Sequence, residues 1–411
     1  MRNFLEAKPE VSIFSRAMRM TGRTDSIAHE FPELAGFDKQ FGAAPAVAVR
    51  SPARVNIIGE HTDYNDGFVF PAAINRSIRI AACSNGSNQV EVYSASFDET
   101  AKFSLDIIKR TRHWSDYVKG TVKELVDRDY PVRGFKALIG GDLPVASGLS
   151  SSASLEMAVS EACAALFGFE IEPWEQIKLC RRAENHFVGV NCGIMDQFSI
   201  RMGLRGHGLF LDCRSLEYEA VPIPVDELVF IIADSQVERG LGATEYHTRQ
   251  KQCERGRLYF CSINKNLRSL RDVGEDLLIV NRENLDPVIW RRCRHVITEN
   301  RRVQRAVEAL KKPDMVLFGE LMNMSHESCK TDYEVSCREL DLLVDLARKV
   351  PGVLGARMTG AGFGGCTINL VARNRIEEFQ QKVGSLYSHS TGLTPQFIIT
   401  EPEDGVRSWK L

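Results

Sequence analysis

The sequence predicts a two-lobed α+β fold, and three observations carry that prediction. Strand-like segments crowd the first third of the chain, and amphipathic helical patterns follow them. In the second half, helical runs surround short β-branched segments that flank a Gly-rich loop, the pattern of helices laid on an antiparallel sheet. No repeat, low-complexity tract or long Gly/Ser or Pro linker separates the halves, so the lobes are expected to pack closely. At roughly 100–200 residues per domain, 411 residues allow two or three domains. Residues 1–45 read as a polar, irregular N-terminal arm with a short apolar-periodic piece around Ile13–Met20, 46–210 as the N-terminal lobe and 211–411 as the C-terminal lobe.

Alternation and β-branching place strands at Ala46–Arg50, Ile78–Ser84, Gln89–Ser94 and Phe135–Ile139, each ended by turn-forming residues. Helix follows over Ser151–Phe167, where Leu155, Val159, Ala162, Cys163 and Leu166 share one face, and over Glu175–His186. A strand at Leu228–Ala233 precedes a solvated helix around Glu245–Arg257, then helices at Asp286–Ala309, Met315–Met322 and Arg338–Lys349. Gly355–Met358, Cys366–Val371 and Pro395–Thr400 complete the second sheet.

Composition excludes several classes. Lys plus Arg 52 against Asp plus Glu 54 gives a net charge of −2, which disfavours nucleic acid and anionic membranes as partners. The apolar runs are far shorter than the ~20 residues of a membrane span, and Glu6, Pro9 and Glu10 interrupt the place of a secretory core, so a cytoplasmic protein is expected. Eleven cysteines, an odd number with no C-x-x-C pair, read as small buried hydrophobes in a reducing compartment. Hydrophobic residues at 44% and charged residues at 26% are ordinary for a globular chain and argue against disorder.

The motifs narrow the chemistry further. Gly360, Gly362 and Gly365 fit G-x-G-x-x-G, but a strand rather than a helix follows, so a dinucleotide fold is excluded. A protein kinase is excluded because H-R-D and D-F-G are missing, and there is no Walker loop, H-E-x-x-H or complete nucleophile elbow. For the Gly-rich loop, a tight hairpin and a ligand loop both remain open. Gly140–Ser154 runs from a strand through a Gly/Pro/Ser loop into a helix, whose free N–H groups and dipole suit an anion, although a Ser-capped helix explains the residues equally. Arg54–Gly67 packs Arg54, Glu60, His61, Asp63, Tyr64, Asn65 and Asp66 behind an apolar run, as a polyhydroxylated ligand requires, with a polar turn as the competing reading. Asp196, in NCGIMDQF, is a candidate base or a helix cap.

Taken in order, RVNIIGEHTDYNDGFVFPAAI, LPVASGLSSSAS, NCGIMDQF and RMTGAGFGG, with WSDYVKG, LDCRSL and ATEYHTRQKQCE, resemble the GHMP kinase superfamily and, within it, the galactokinase family. The resemblance runs from about residue 46 to the C-terminus. It implies a ferredoxin-like C-terminal lobe beside a mixed sheet-and-helix N-terminal lobe, with the site between them, where ATP phosphorylates the 1-hydroxyl of α-D-galactose. Carried over to this sequence, it implies that Glu60, His61, Thr62, Asp63, Gly193 and Tyr246 hold the sugar, and that Ala146, Ser147, Gly148, Leu149, Ser150, Ser151 and Ser152 wrap the ATP phosphates. Trp114 and Tyr117 would line the adenine pocket, Ser152 and Glu184 would hold Mg²⁺, Asp196 would be the base, and Arg54 its charged partner. Ala53, Ala146-Ser147, Ala361 and Asp234 depart from the family's usual residues; Asp234 bears on sugar preference. A kinase for N-acetylgalactosamine or L-arabinose, and a non-catalytic galactose and ATP sensor, are the alternatives; galactose and ATP are the expected partners of a monomer.

Overall fold

The computed structural model describes residues 31–143, 148–237 and 242–411. Ala146, Ser147 and the Ile13–Met20 piece lie outside them. Twelve strands are described: β1 Val47–Ile58, β2 Phe68–Ser84, β3 Gln89–Ser94, β4 Glu99–Ser104, β5 Phe135–Gly141, β6 His207–Asp212, β7 Tyr218–Pro222, β8 Leu228–Asp234, β9 Val353–Thr359, β10 Cys366–Ala372, β11 Gln396–Thr400 and β12 Arg407–Lys410. The first sheet runs β12-β1-β2-β5-β3-β4, antiparallel except for β3 beside β5, and the β6–β7 hairpin joins it along β2. The second is four-stranded and antiparallel, in the order β11-β8-β10-β9.

Two sequence-based bounds need correction. A lobe boundary near residue 210 cuts the β6–β7 hairpin, whose Leu209 and Leu211 belong to the first sheet's core; the change of sheet comes between β7 and β8. The arm to residue 45 is not irregular throughout, because Pro32–Phe41 forms a helix begun by Pro at its first turn and ended by Gly42 at φ 61. Its Phe37 is buried against Ala81 of β2 and Leu138 of β5.

β1 is buried along almost its whole length, with its first half and its second half packed into different cores. The helix Ser151–Phe167 packs on one face, giving a core with Val47, Val49, Met157 and Val159. Further along β1, Ala53, Val55 and Ile57 meet Phe230 and Ile232 of β8, Ile368 of β10, and Val303 and Phe318 of the helices Pro287–Lys311 and Met315–Ser328. One continuous apolar cluster therefore joins the two sheets. Polar residues that leave the C-terminal end of β1 stand at the edge of that junction.

Candidate active site

A cavity of about 330 Å³ opens at this junction. Arg54, on β1, reaches its centre as a two-pronged donor: Nε to Asp196 Oδ1 at 2.7 Å and Nη2 to Oδ2 at 2.8 Å, with Nη1 on the Gly148 carbonyl at 3.0 Å. Burial opposes the guanidinium charge, but Asp196, then Glu60 and Asp63, hold it above its ordinary value. Asp196 opens the short helix Met195–Met202. Its second oxygen also accepts from the Ser150 hydroxyl. Ser150 precedes the helix Ser151–Phe167 in a left-handed conformation, φ 60, and makes no side-chain cap; its hydroxyl is turned to Asp196 instead. The first N–H groups of that helix are thus left to face the cavity beside Ser151 and Ser152.

The turn Gly59–Asp66 follows β1. Glu60 accepts from the Gly360 amide at 2.8 Å and from Arg357 Nη1 at 3.2 Å. His61, at φ 62, is buried, and its imidazole is held well below the usual histidine range by burial, then by His295 and Arg249. Asp63 is pushed up to about 7 by burial and by the negative charge of Asp196. Position 193 must be glycine for this arrangement, because a Cβ there would stand 1.7 Å from Asp63 Oδ2. Glu60, His61, Asp63, Gly193 and Tyr246 all line the cavity.

On the opposite side, Glu184 sits in a π-turn, Ala183–Val188, where the helix begun at Pro173 widens instead of running regularly to His186. Its carboxylate accepts from Gln197 Nε2 at 2.8 Å. Burial and then the charge of Asp196 raise its pKa, while the Ser152 hydroxyl bonds to it. Two hard oxygen donors, Ser152 and Glu184, therefore converge on one wall of the cavity. Tyr117 lines that wall as well.

Some expected site residues stand elsewhere. Thr62 is fully buried under the turn, with its hydroxyl on the carbonyls of Gly59 and Phe68 at 2.9 and 2.7 Å, so it shapes the strip rather than lining the cavity. Leu149 points into the core, and its carbonyl accepts from the Arg54 amide. Trp114 stacks on Phe97 and donates to Glu99 at 3.0 Å, away from the cavity-lining set. Asp234 accepts from the Gln236 amide at the end of β8 and does not line the cavity either.

Arg357, Glu156 and Gln197 were not read from sequence as site residues. Arg357 stands in an apolar strand, nearly three hundred residues from Glu60. Glu156 lies one helical turn after Ser152, a spacing that could have pointed to it; Gln197 donates to both Glu156 and Glu184.

Comparison with known proteins agrees with this geometry. Residues 35–84 match a galactokinase galactose-binding signature, 116–203 the GHMP kinase N-terminal domain and 306–389 the GHMP kinase C-terminal domain. A galactokinase of Roseiflexus sp. is 42% identical over 90% of this chain and 95% of its own length, and one of Haemophilus influenzae is 41% identical over 90% and 97%. The crystal structure of Lactococcus lactis galactokinase complexed with galactose superposes with a TM-score of 0.88 at 38% identity, covering 93% of this chain and all of that one. Methanococcus jannaschii mevalonate kinase, at 18% identity and a TM-score of 0.62 over 87% of this chain and 99% of its own, shares the fold. The chain belongs to the galactokinase family of the GHMP kinases.

Proposed function

We propose that the chain transfers the γ-phosphoryl group of ATP to the 1-hydroxyl of α-D-galactose, giving galactose 1-phosphate and ADP. The observation that carries this reading is the position of the Arg54–Asp196 pair, between a wall of sugar-type donors and acceptors and the start of the helix Ser151–Phe167. Phosphoryl transfer asks chiefly for alignment and for neutralisation of charge on the transferring oxygens. Glu60, His61, Asp63 and Tyr246 would orient the sugar, with the glycine at 193 leaving room for Asp63. Gly148 and Ser150–Ser152 would present amides and hydroxyls to the phosphates, and Tyr117 would border the nucleotide. Asp196, fixed by Arg54 and Ser150, would accept the hydroxyl proton as the bond to phosphorus forms.

Among the described residues no set of three or more His, Cys, Asp or Glu could hold a metal by itself. Ser152 and Glu184 nonetheless fit Mg²⁺, which takes one or two protein oxygens and completes its shell with waters and phosphates. Mg²⁺ bound there would neutralise charge on the phosphates. Eleven free thiols suit the reducing conditions of the cytoplasm. No helix among the described residues is long and apolar enough to cross a membrane.

The test is ADP release from MgATP by purified protein with galactose, N-acetylgalactosamine, L-arabinose, glucose or mevalonate. Clear preference for galactose supports the reading; preference for another sugar moves the substrate, and galactose and ATP binding without turnover replaces it with a sensor.

Two further outcomes are expected. Arg54→Ala removes both prongs on Asp196, and kcat should fall by about 10²-fold or more with a smaller change in galactose KM. Arg54→Lys, a point charge without the fork, should recover little of it; wild-type turnover in the alanine variant would remove the role. Galactose affinity should also rise with pH. Asp63 accepts sugar hydroxyls best as a carboxylate, and with a value of about 7 it is mostly protonated at pH 6 and mostly ionised at pH 8. Calorimetric titration across that window should show the rise, and Asp63→Asn should abolish it.

A further inference from the structure

Between β9 and β10 the Gly-rich loop turns through Gly360, Gly362, Phe363, Gly364 and Gly365, all at positive φ. Phe363, at φ 58, is the one of these that carries a side chain, and such a conformation persists only where its surroundings fix it. Its surroundings do so here. The Phe363 N–H donates to the Val335 carbonyl at 2.7 Å, and the loop lies so close to that carbonyl that a Cβ at Gly362 would stand 2.1 Å from its oxygen. The Phe363 ring lies beneath the Arg249 guanidinium, 5.4 Å from it at the centroid.

Arg249 is buried on the helix Gly242–Ile263, and each arm of its fork is occupied. Nε donates to the Tyr333 carbonyl at 2.8 Å and Nη2 to the Glu334 carbonyl at 2.7 Å, where the π-turn Cys329–Tyr333 ends and its last carbonyls need donors. Nη1 donates to Glu245 on its own helix at 3.0 Å. One guanidinium therefore joins the helix, the backbone at 333–334 and the Gly-rich loop. Both the helix and the loop carry part of the sugar wall. Tyr246 lines the cavity from the same helix, one turn before Arg249. From the loop, the Gly360 amide donates to Glu60 at 2.8 Å and the Ala361 backbone hydrogen-bonds the His61 ring, and both loop residues line the cavity.

Resting on the galactokinase reading, we propose that Arg249 is a positioning residue for galactose, clamping the Gly-rich loop to the Tyr246 helix so that Glu60, His61 and Tyr246 keep one sugar-binding arrangement. With the clamp in place, helix and loop form a single wall, and the spacing between Tyr246 on one side and Glu60 and His61 on the other is fixed before the sugar arrives. Without the guanidinium, Phe363 is free to leave the left-handed region, and the Gly360 amide and Ala361 backbone shift away from the two side chains they hold. A lysine has no planar fork with which to reach two carbonyls and Glu245 while covering the ring, so charge alone does not replace it.

Hydrogen–deuterium exchange and calorimetric titration with galactose, both on the full-length protein, test the proposal. In Arg249→Met the amides of residues 360–366 should exchange faster while those of β9 keep their protection. Galactose Kd and KM should rise about tenfold, with kcat at saturation within about threefold of wild type. Arg249→Lys should recover little of either change. Phe363→Leu, which keeps the fork and loses the ring, should move exchange and affinity in the same direction by less. Wild-type galactose affinity in Arg249→Met, or weakened binding with unchanged exchange at 360–366, would overturn the proposal; if that variant does not fold, wild-type values in both Arg249→Lys and Phe363→Leu would do so. Exchange is read without sugar, so a wild type that binds no galactose defeats the functional reading alone.

Discussion

Asp196→Asn is expected to fold like the wild type and to lose galactose-dependent ADP formation by about 10²–10⁴-fold, the range of an absent general base. The substitution keeps the shape of the side chain but not its chemistry. Asp196 now accepts three hydrogen bonds, two from Arg54 and one from Ser150. An amide can accept on its oxygen alone, so in either orientation its NH₂ faces a guanidinium N–H of Arg54, and it cannot take a proton from the sugar. Two readouts separate loss of chemistry from loss of the site. Galactose binding by calorimetry should persist, because Glu60, His61 and Tyr246 are untouched. The pH profile of that binding should also move to lower pH: after burial, the negative charge of Asp196 is the largest influence raising Asp63, and its removal makes Asp63 easier to ionise. Retained turnover would take the base role away from Asp196. Lost turnover with an unmoved binding profile would mean that Asp63 does not control the pH dependence.

The two runs that line the cavity, GEHTD after β1 and Gly148–Ser152 before the helix, were legible in the sequence because each is contiguous. GEHTD leaves a buried strand and must place its polar groups at the strand's end, and Glu60, His61 and Asp63 do line the cavity. Ser151–Phe167 was legible from the helical spacing of Leu155, Val159, Ala162, Cys163 and Leu166, although the fold buries Ala153–Ser160 without a break and so covers nearly its whole circumference. Thr62 shows the limit of contiguity: it lies inside the same strip, yet its hydroxyl is consumed by the backbone of its own turn. Short strands escaped for a different reason. β4, β6, β7 and β12 carry mixed residues whose strand character comes from the neighbours they pair with, and β12 meets β1 across the whole length of the chain. The helix Pro32–Phe41 carried its signals openly, with Pro near the start and Gly just past the end, but its polar composition masked them. Gln197 and Arg357 were not legible, because their partners are brought together only by the tertiary fold, while Glu156 had only its one-turn spacing from Ser152 to show it.

Arg357→Met should be among the most destabilising single changes in the molecule, and the reason lies in that tertiary junction. The guanidinium is fully buried on β9 of the second sheet, yet Nη1 donates to the carbonyls of Asn56 at 3.1 Å and Ile57 at 3.4 Å on β1, and to Glu60 at 3.2 Å. Methionine fills much of the volume but leaves the Glu60 carboxylate buried with the Gly360 amide as its remaining partner. Removing one member of such a buried pair costs about 3–5 kcal/mol, far more than the pair contributes over an apolar replacement. The urea midpoint should fall accordingly, and galactose KM should rise because Glu60 loses one of the two bonds that orient it. Glu60→Gln tests the same contact from the other side: the double variant should cost less than the sum of the singles, since neither charge is then left uncompensated. Additive losses would show that Arg357 stabilises the junction through its backbone-carbonyl bonds to β1 rather than through Glu60. A wild-type midpoint in Arg357→Met would show that water or rearranged donors replace the guanidinium, and that the apolar cluster joining the two sheets holds the lobes together without it.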